Sequence, residues 1–243
     1  MEWDEDIRLR KAAALRKYRK KLAEEIAFYC FQQYLFAKQW KELKAYANKK
    51  GIEIVGDIPI YVAFDSADTW ANPKLFQLDK EGRPIGVAGC PPDCFSETGQ
   101  LWGNPLYDWP RHEAEDFRWW KRRIKHATSI YDVVRIDHFR GFESYYSIPA
   151  GNKTAAGGHW EKGPDRAFID AMHKALGEGG IIAEDLGYLT PEVKTMLAAS
   201  GYPGMKIMQF AFDSREPGNY LPYTYPRNSV AVSYTHLRAH ETA

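Results

Sequence analysis

Short apolar runs alternate along this chain with longer segments of helical periodicity. The runs are rich in Val and Ile and are bounded by Gly, Pro or Asp, which is typical of buried strands. The first helical segment repeats apolar residues from Ile26 to Ala47 on one face and ends at Gly51, so we predict an amphipathic helix. We predict strands at about 52–56, 131–136, 180–183, 205–211 and 229–234, and further helices at 113–127, 165–176 and 191–200.

This alternation of elements indicates the fold class. A helix that leads into a strand through a tight turn, as at Gly51, is the step from which parallel sheets are built. The sequence therefore predicts an α/β protein, either an open doubly wound sheet or part of an eight-stranded barrel. No glycine-rich phosphate loop follows a predicted strand, which weakens the nucleotide-binding variant.

Acidic residues follow three of the predicted strands. Asp57 follows the first strand, Asp137 the second, and Glu184 and Asp185 the third. Because parallel strands point their carboxyl ends in the same direction, these side chains are expected to gather on one face, where barrel enzymes carry their sites.

The stretch VVRIDHFRG, residues 133–141, carries the densest candidate chemistry. Arg135, Asp137 and His138 lie at the end of an apolar strand, where a charge is costly unless it is paired or used. A structural ion pair at a sheet edge would explain the first two residues. A metal site would favour more acids or histidines close by than this stretch offers.

Paired carboxylates at one rim also suit glycosidic chemistry. A retaining glycosidase needs one ionised carboxylate as nucleophile and one protonated acid, about 5 Å apart. Arg135 lies two residues before Asp137, so both side chains point to the same side and the arginine would hold the aspartate ionised. Glu184 in a more apolar setting would keep its proton.

Residues 65–112 form a long segment rich in Asp, Gly, Pro and Trp, with little periodicity. Its aromatic residues argue against disorder, so we predict a long functional loop. The whole chain carries 8 Trp, 15 Tyr and 12 Phe, more than a core of this size usually needs. Some of these rings are expected to line a binding surface, although a heavily aromatic core would also account for them.

Composition excludes several classes of protein. The formal net charge is +1 with acids and bases interspersed, so no footprint for nucleic acid or an anionic membrane is present. The 3 Cys cannot form a complete disulfide framework, and we expect free thiols and a reducing, cytoplasmic location. No apolar run approaches the roughly 18 residues that span a bilayer.

Several longer motifs resemble one enzyme family. RIDHFRG and EDLG, preceded by GDIPIYVAFDSADTWANP and PPDCFSETGQLWGNPLYDW, resemble the amylomaltases, which are 4-α-glucanotransferases of the α-amylase-like superfamily. The resemblance extends from about Glu24 to Ser233. It implies a (β/α)₈ TIM-barrel, incomplete here with its central strands only, and a long aromatic active-site loop. It further implies retaining transfer of α-1,4-glucan segments between maltooligosaccharides or starch, with no cofactor and no metal.

The resemblance also implies roles for individual residues. Asp137 matches the nucleophile and Glu184 the general acid/base of the family. Residues expected to bind substrate or hold the nucleophile are Asp57, Arg135 and His138 and, on the loop that folds over the site, Phe95, Gln100, Trp102 and Asn104. Position 94 is Cys here, whereas the family usually has an aromatic residue there.

Both ends of the chain depart from the family pattern. The family has a longer N-terminal part, and after Ser233 it requires a motif with a third catalytic aspartate, where this chain reads HLRAHETA. We therefore expect residues 1–235 to form a partial catalytic barrel, residues 236–243 to be a non-native tail, and the fragment itself to be inactive. Missing strands would expose a sheet edge, so we also expect poor solubility.

Two alternatives to the transferase stay open. The chain could derive from a retaining α-glucan hydrolase of the amylase type, which would yield only shorter sugars. It could also be a non-catalytic glucan-binding barrel that retains the cleft.

Overall fold

The computed structural model of the protein describes residues 3–93, 96–177, 179–187, 189–212 and 220–233. The helices are α1 Glu5–Arg8, α2 Ala12–Lys21, α3 Ala23–Lys49, α4 Ala67–Ala71, α5 Trp109–Ala114, α6 Arg118–Ile130, α7 Asp165–Leu176 and α8 Pro191–Ser200. The strands are β1 Val55–Pro59, β2 Gly86–Cys90, β3 Gln100–Pro105, β4 Val133–Asp137, β5 Ser144–Pro149, β6 His159–Lys162, β7 Ile181–Ala183, β8 Gly204–Ile207 and β9 Ser229–Val232. The predicted loop residue Phe95, position 94 and the predicted tail 236–243 lie outside the described residues.

The parallel strands follow one another in chain order. β1, β4 and β7 form one parallel sheet, and β8 pairs in parallel with β9. The backbone N–H of Ala183 in β7 donates to the carbonyl of Pro203, just before β8, at 2.9 Å. Among the described strands this order lacks the reversal that marks a doubly wound sheet. The predicted α/β class is confirmed, with strand boundaries shifted by up to four residues.

A second, antiparallel sheet was not predicted. It has the strand order β3, β2, β5, β6 and includes part of segment 65–112, which was wrongly expected to be a loop throughout. β2 reads GVAGC, which lacks the run of branched residues typical of a strand. Its Gly89 allows a close approach, because a Cβ there would lie 2.1 Å from the carbonyl oxygen of Gln100.

One predicted helix, 113–127, is two helices. α5 ends at Ala114 and α6 begins at Arg118. Between them Asp116 and Phe117 have φ angles of 52° and 50°, a left-handed conformation that a continuous helix cannot contain. The helical periodicity on both sides of this break concealed it.

The predicted end of α3 at Gly51 is confirmed. Gly51 has a φ of 74°, and its N–H and that of Ile52 donate to the carbonyls of Asn48 and Ala47, which together form a Schellman cap. The apolar face predicted for α3 is only partly buried. Trp40 donates its indole N–H to the carbonyl of Ile130 at 2.7 Å. Most other apolar residues of that face are exposed in the described structure, including Ile26, Tyr29, Phe36 and Leu43.

The main core is unusually aromatic. Trp120 of α6 is fully buried, and its ring contacts Phe142 and Phe168 edge to face at 5.0 and 5.5 Å. Phe142 and Phe168 are themselves stacked at 3.9 Å. These three rings belong to the same core cluster as Val134 and Ile136 of β4, the strand that ends at the candidate site.

Candidate active site

Arg135 joins two carboxylates at the ends of neighbouring strands. Asp57 of β1 is the register partner of Arg135 in β4. The guanidinium donates from Nε and one terminal nitrogen to the two oxygens of Asp57, at 2.9 and 2.8 Å. The same terminal nitrogen lies 3.1 Å from Oδ1 of Asp137. The predicted ion pair between Arg135 and Asp137 is therefore present, and Asp57 orients the arginine that forms it.

Burial and charge act in opposite directions on Asp137. Burial raises the pKa of the Asp137 carboxyl above its usual value of 3.8, and the positive charge of Arg135 opposes that rise. The sequence led us to expect that Arg135 would hold Asp137 ionised. The contact that would do so is present, and the loss of solvation at the end of a packed strand opposes its effect.

Glu184 follows β7 and is buried beside the same site. Its Oε2 accepts the backbone N–H of His138 at 2.8 Å, and its Oε1 accepts that of Leu186 at 3.0 Å. Burial, and next the negative charge of Asp137, raise its pKa from 4.5 to about 7; the two N–H groups and Arg135 oppose that rise. Glu184 is therefore close enough to Asp137 for their charges to interact, and its surroundings combine apolar burial with two backbone donors.

His138 occupies an unusual backbone conformation at the edge of the site. Its φ is 55°, which turns the chain sharply after β4. The imidazole meets the ring of Trp102 edge to face at 4.9 Å. Burial, and next the charge of Arg140, lower its pKa to about 3, so the ring is neutral near pH 7. Within the described residues its buried Nε2 has no hydrogen-bond partner, which leaves it able to bind a hydroxyl group.

A cavity of about 690 Å³ opens beside these residues. Its size falls within the range of about 300–1,000 Å³ that small-molecule sites occupy. The lining includes Tyr61, Trp102, Asn104, Arg123, Asp137 and His138. A second cavity of about 460 Å³ adjoins it, because Trp102 and Asn104 line both.

The predicted site residues do not all reach this cavity. Asp57, Arg135 and Glu184 are not part of its lining, but Arg135 contacts Asp137 and Glu184 accepts the backbone N–H of His138, and both Asp137 and His138 line the cavity. Gln100 is also outside the lining, and its side-chain oxygen accepts the indole N–H of Trp102 at 3.1 Å. We infer that Gln100 orients this tryptophan.

Sequence reasoning missed several lining residues, and Arg123 and Tyr61 are the two with the largest polar side chains among them. Arg123 of α6 donates to the carbonyls of Ile60 and Pro59, at 3.0 and 2.6 Å, and so braces the end of β1. Tyr61 is buried directly after that strand. Tyr61 could have been predicted from its position just after the end of β1. The position of Arg123 on α6 gave no indication that it lines the cavity.

Asp185 is turned away from the cavity and joins β7 to β8. Its Oδ1 accepts the backbone N–H of Met205 at 2.7 Å. A Cβ at Gly204 would lie 2.8 Å from both oxygens of this carboxylate. Glycine at 204 therefore permits the close approach of the two strands.

Gly204→Ala is expected to destabilise the chain by about 1–3 kcal/mol, because the new methyl must displace a hydrogen-bonded carboxylate. Chemical denaturation measures the loss. The control is Gly157→Ala, whose Cβ would meet only the end of the Asn152 side chain, at 3.0 Å. Equal free energies of unfolding for the two variants would contradict the role given to Gly204.

Comparison with known proteins identifies the family. The family model Glyco_hydro_77, described as 4-alpha-glucanotransferase, matches residues 1–238. The chain belongs to the 4-alpha-glucanotransferase family. The family predicted from the sequence motifs is confirmed.

Individual relatives of this 4-alpha-glucanotransferase family member agree. The chain is 53% identical over 235 residues to the 4-alpha-glucanotransferase of Clostridium butyricum, covering 96% of this chain and 48% of that relative. It is 50% identical over 240 residues to the enzyme of that name from Thermus thermophilus, covering 99% of this chain and 48% of that relative. The chain thus spans about half the length of the curated relatives it matches.

Solved structures extend the likeness to the fold. The amylomaltase from Streptococcus agalactiae, solved in complex with acarbose, superposes with a TM-score of 0.92 at 46% identity, covering 95% of this chain and 47% of that one. The amylomaltase from Corynebacterium glutamicum gives a TM-score of 0.73 at 22% identity, covering 86% of this chain and 29% of that one, and supports the fold alone.

Among the described residues, no helix is both long and apolar enough to cross a membrane. In the same residues no group of three or more His, Cys, Asp or Glu side chains could hold a metal ion.

Proposed function

We propose that this chain forms the catalytic part of a 4-α-glucanotransferase that moves α-1,4-glucan segments between maltooligosaccharides or starch chains with retention of configuration. The observation that carries the proposal is the joint placement of Asp137 and Glu184. Glu184, with a pKa of about 7, is held by the N–H of the residue that follows Asp137. Family membership and the relatives' names support the reaction type.

In the first chemical step Asp137 acts as the nucleophile. Its carboxylate oxygen bonds to the anomeric carbon at the cleavage point, and the glycosidic bond breaks. Glu184 gives its proton to the departing oxygen, which leaves as the free 4-hydroxyl of the released glucan. The product is a glycosyl ester on Asp137, with inverted configuration.

In the second step an acceptor glucan resolves this ester. Its 4-hydroxyl attacks the anomeric carbon, its proton passes to the ionised Glu184, and the ester oxygen leaves as the Asp137 carboxylate. The second inversion restores the original configuration. Both carboxyl groups return to their starting states, so the two steps balance without a cofactor.

The remaining residues position the sugars. The neutral imidazole of His138 directs its Nε2 toward a hydroxyl of the sugar at the cleavage point. Trp102 offers an apolar ring for the face of a sugar, and Asn104 is held by the carbonyl of Val62 at 3.0 Å. The segment that bears them would exclude water, so that a sugar hydroxyl rather than water resolves the ester.

We further propose that β1, β4, β7, β8 and β9 are successive strands of a (β/α)₈ barrel. Their parallel pairing in chain order supports this architecture, as does the TM-score of 0.92 to an amylomaltase. Asp57, Asp137 and Glu184 then lie at the carboxyl ends of barrel strands, which is where such enzymes place their chemistry.

A chimera tests the proposed reaction. Residues 3–233 replace the matching part of the Clostridium butyricum 4-alpha-glucanotransferase, which supplies the rest of the protein. Incubated with maltotriose, the chimera is expected to release glucose and to form longer oligomers, as resolved by chromatography. If only products shorter than maltotriose form, the protein is a hydrolase. If acarbose binds and no product forms, it is a glucan-binding protein. Either result would overturn the proposal.

A further inference from the structure

A third cavity, of about 450 Å³, lies on the other side of α4 from the candidate active site. Thr69 of α4 lines it, whereas Ser66 and Asp68 line the cavity of the active site. The third cavity shares no lining residue with the cavity of about 690 Å³, and it shares Phe64 with the second cavity of about 460 Å³. The third cavity is closed on one side by the N-terminal segment through Arg8 and Leu9.

Positive charge predominates around this cavity. Its lining includes the four basic residues Arg8, Lys74, Lys80 and Arg111, against two acidic residues, Asp79 and Asp108. Both carboxylates accept hydrogen bonds from backbone N–H groups of nearby residues. Oδ1 of Asp79 accepts the backbone N–H groups of two nearby residues, at 2.9 and 2.8 Å, and Asp108 caps α5 by accepting the N–H of Arg111 at 3.1 Å.

Three of the four cations are unpaired. In the described part of the chain, the side chains of Lys74, Lys80 and Arg111 form no hydrogen bond and no ion pair, while Arg8 donates to the carbonyl of Glu81. Three unpaired side chains of one sign around a single concave site attract an anion of matching size. Lysine and arginine are the side chains that bind phosphate oxygens.

The same cavity has an aromatic floor. Phe76 is buried and Phe64 and Trp70 are partly buried, and all three line the cavity. Trp70 is held in place, because its indole N–H donates to the carbonyl of Ile7 at 3.1 Å and the Arg10 guanidinium lies 4.5 Å from its ring. Fixed aromatic side chains beside a few polar groups are typical of sites for small molecules that have an apolar face.

We propose that this cavity binds a phosphorylated sugar, with the phosphate monoester at Lys74, Lys80 and Arg111 and the sugar ring against the aromatic floor. A phosphate monoester carries between one and two negative charges near pH 7 and offers three acceptor oxygens, which matches three unpaired cations. A sugar ring has an apolar face that suits Phe64 and Phe76. This site goes beyond the transferase reaction, and its occupation does not depend on that reaction.

Titration calorimetry on the 243-residue chain tests this site. Glucose 6-phosphate is expected to bind at low ionic strength with one molecule per chain, and more weakly as salt is added. The double variant Lys74→Gln/Lys80→Gln is expected to bind at least about tenfold more weakly, because two charge-assisted contacts are lost. Both lysines are exposed, so the fold is retained, and circular dichroism checks this.

Matched ligands and a matched variant separate the alternatives. The control Lys38→Gln/Lys125→Gln removes the same charge from exposed positions on α3 and α6 and is expected to leave binding unchanged. Equal weakening in both double variants would show general attraction to a basic protein and overturn the site. Glucose binding as tightly as glucose 6-phosphate would overturn the phosphate contact, and inorganic phosphate binding as tightly would overturn the sugar contact. Unchanged binding in Lys74→Gln/Lys80→Gln would overturn the proposal outright.

Discussion

Asp137→Asn is expected to lower glucan transfer by the chimera at least about 10⁴-fold, because an amide oxygen is a poor nucleophile and cannot form the glycosyl ester. The substitution keeps the size of the side chain. It also keeps an oxygen that can face Arg135, so the pairing geometry at the strand end survives in part. The rate of maltotriose consumption measures the loss.

Two comparisons make this result specific to the nucleophile. Acarbose binding is expected to persist in Asp137→Asn, since the cavity lining is otherwise unchanged. Asp170→Asn serves as the matched control: it removes an exposed carboxylate on α7 that pairs with Arg166 at the surface, and it should leave the rate unchanged. Transfer at the normal rate in Asp137→Asn would show that another group forms the covalent bond.

Glu184→Gln is expected to lower transfer from maltotriose about 10³-fold, because the glutamine amide cannot protonate the departing oxygen. A donor with fluoride as its leaving group needs no proton, so an α-maltosyl fluoride donor should restore formation of the ester on Asp137. The same donor should not rescue Asp137→Asn. A Glu184→Gln variant equally slow with both donors would indicate a structural role for the glutamate instead of proton transfer.

The pH dependence of the same variant provides a second test. With a pKa of about 7, Glu184 loses its proton as pH rises, and transfer from maltotriose should decline above about pH 7. In Glu184→Gln, formation of the ester from the fluoride donor should lack this alkaline decline. Because Asp137 and Glu184 interact, the midpoint belongs to the pair of carboxyl groups.

Stability should follow the same titration. Folding raises the pKa of Glu184 from 4.5 to about 7, so the folded chain holds this proton more tightly than the unfolded chain does. The contribution of this proton to the free energy of unfolding is therefore present in full below about pH 4.5. The free energy of unfolding falls by roughly 3 kcal/mol as pH rises to about 7. Glu184→Gln should remove this part of the slope. Identical slopes in denaturation of the two proteins between these pH values would contradict the raised pKa.

The sequence was most informative at the ends of the parallel strands. Arg135 and Asp137 are two residues apart on β4, so strand periodicity alone places both side chains on one side, and the ion pair follows. The capped ends of α3 and α8 were equally predictable, because Gly51 and Gly201 adopt the left-handed conformation that glycine tolerates. Local steric rules determine these features, and the residues on which the rules depend are neighbours in the sequence.

Other features depended on contacts between distant segments. β2 is built of small residues, and its strand conformation is stabilised by pairing with β3 and β5, which no local pattern reveals. The hydrogen bond from the N–H of His138 to Glu184 joins residues 46 positions apart. The periodicity of α3 indicated which face is apolar and could not show how much of it would be covered. Non-local pairing of this kind overrides propensity.

In the proposed reaction, the stereochemistry has its structural origin in the pairing of β4 with β7. Ile136 pairs with Ala183, and the residues next along the two strands are Asp137 and Glu184. A slip of one residue in this pairing would turn the glutamate to the opposite face of the sheet. The distance between two carboxyl groups decides whether a glycosidic bond is remade with its original or its opposite configuration. In the proposed reaction, the configuration of each new linkage is set by the alignment of these two short strands, so loop changes that preserve this alignment can alter the substrate range without altering the configuration.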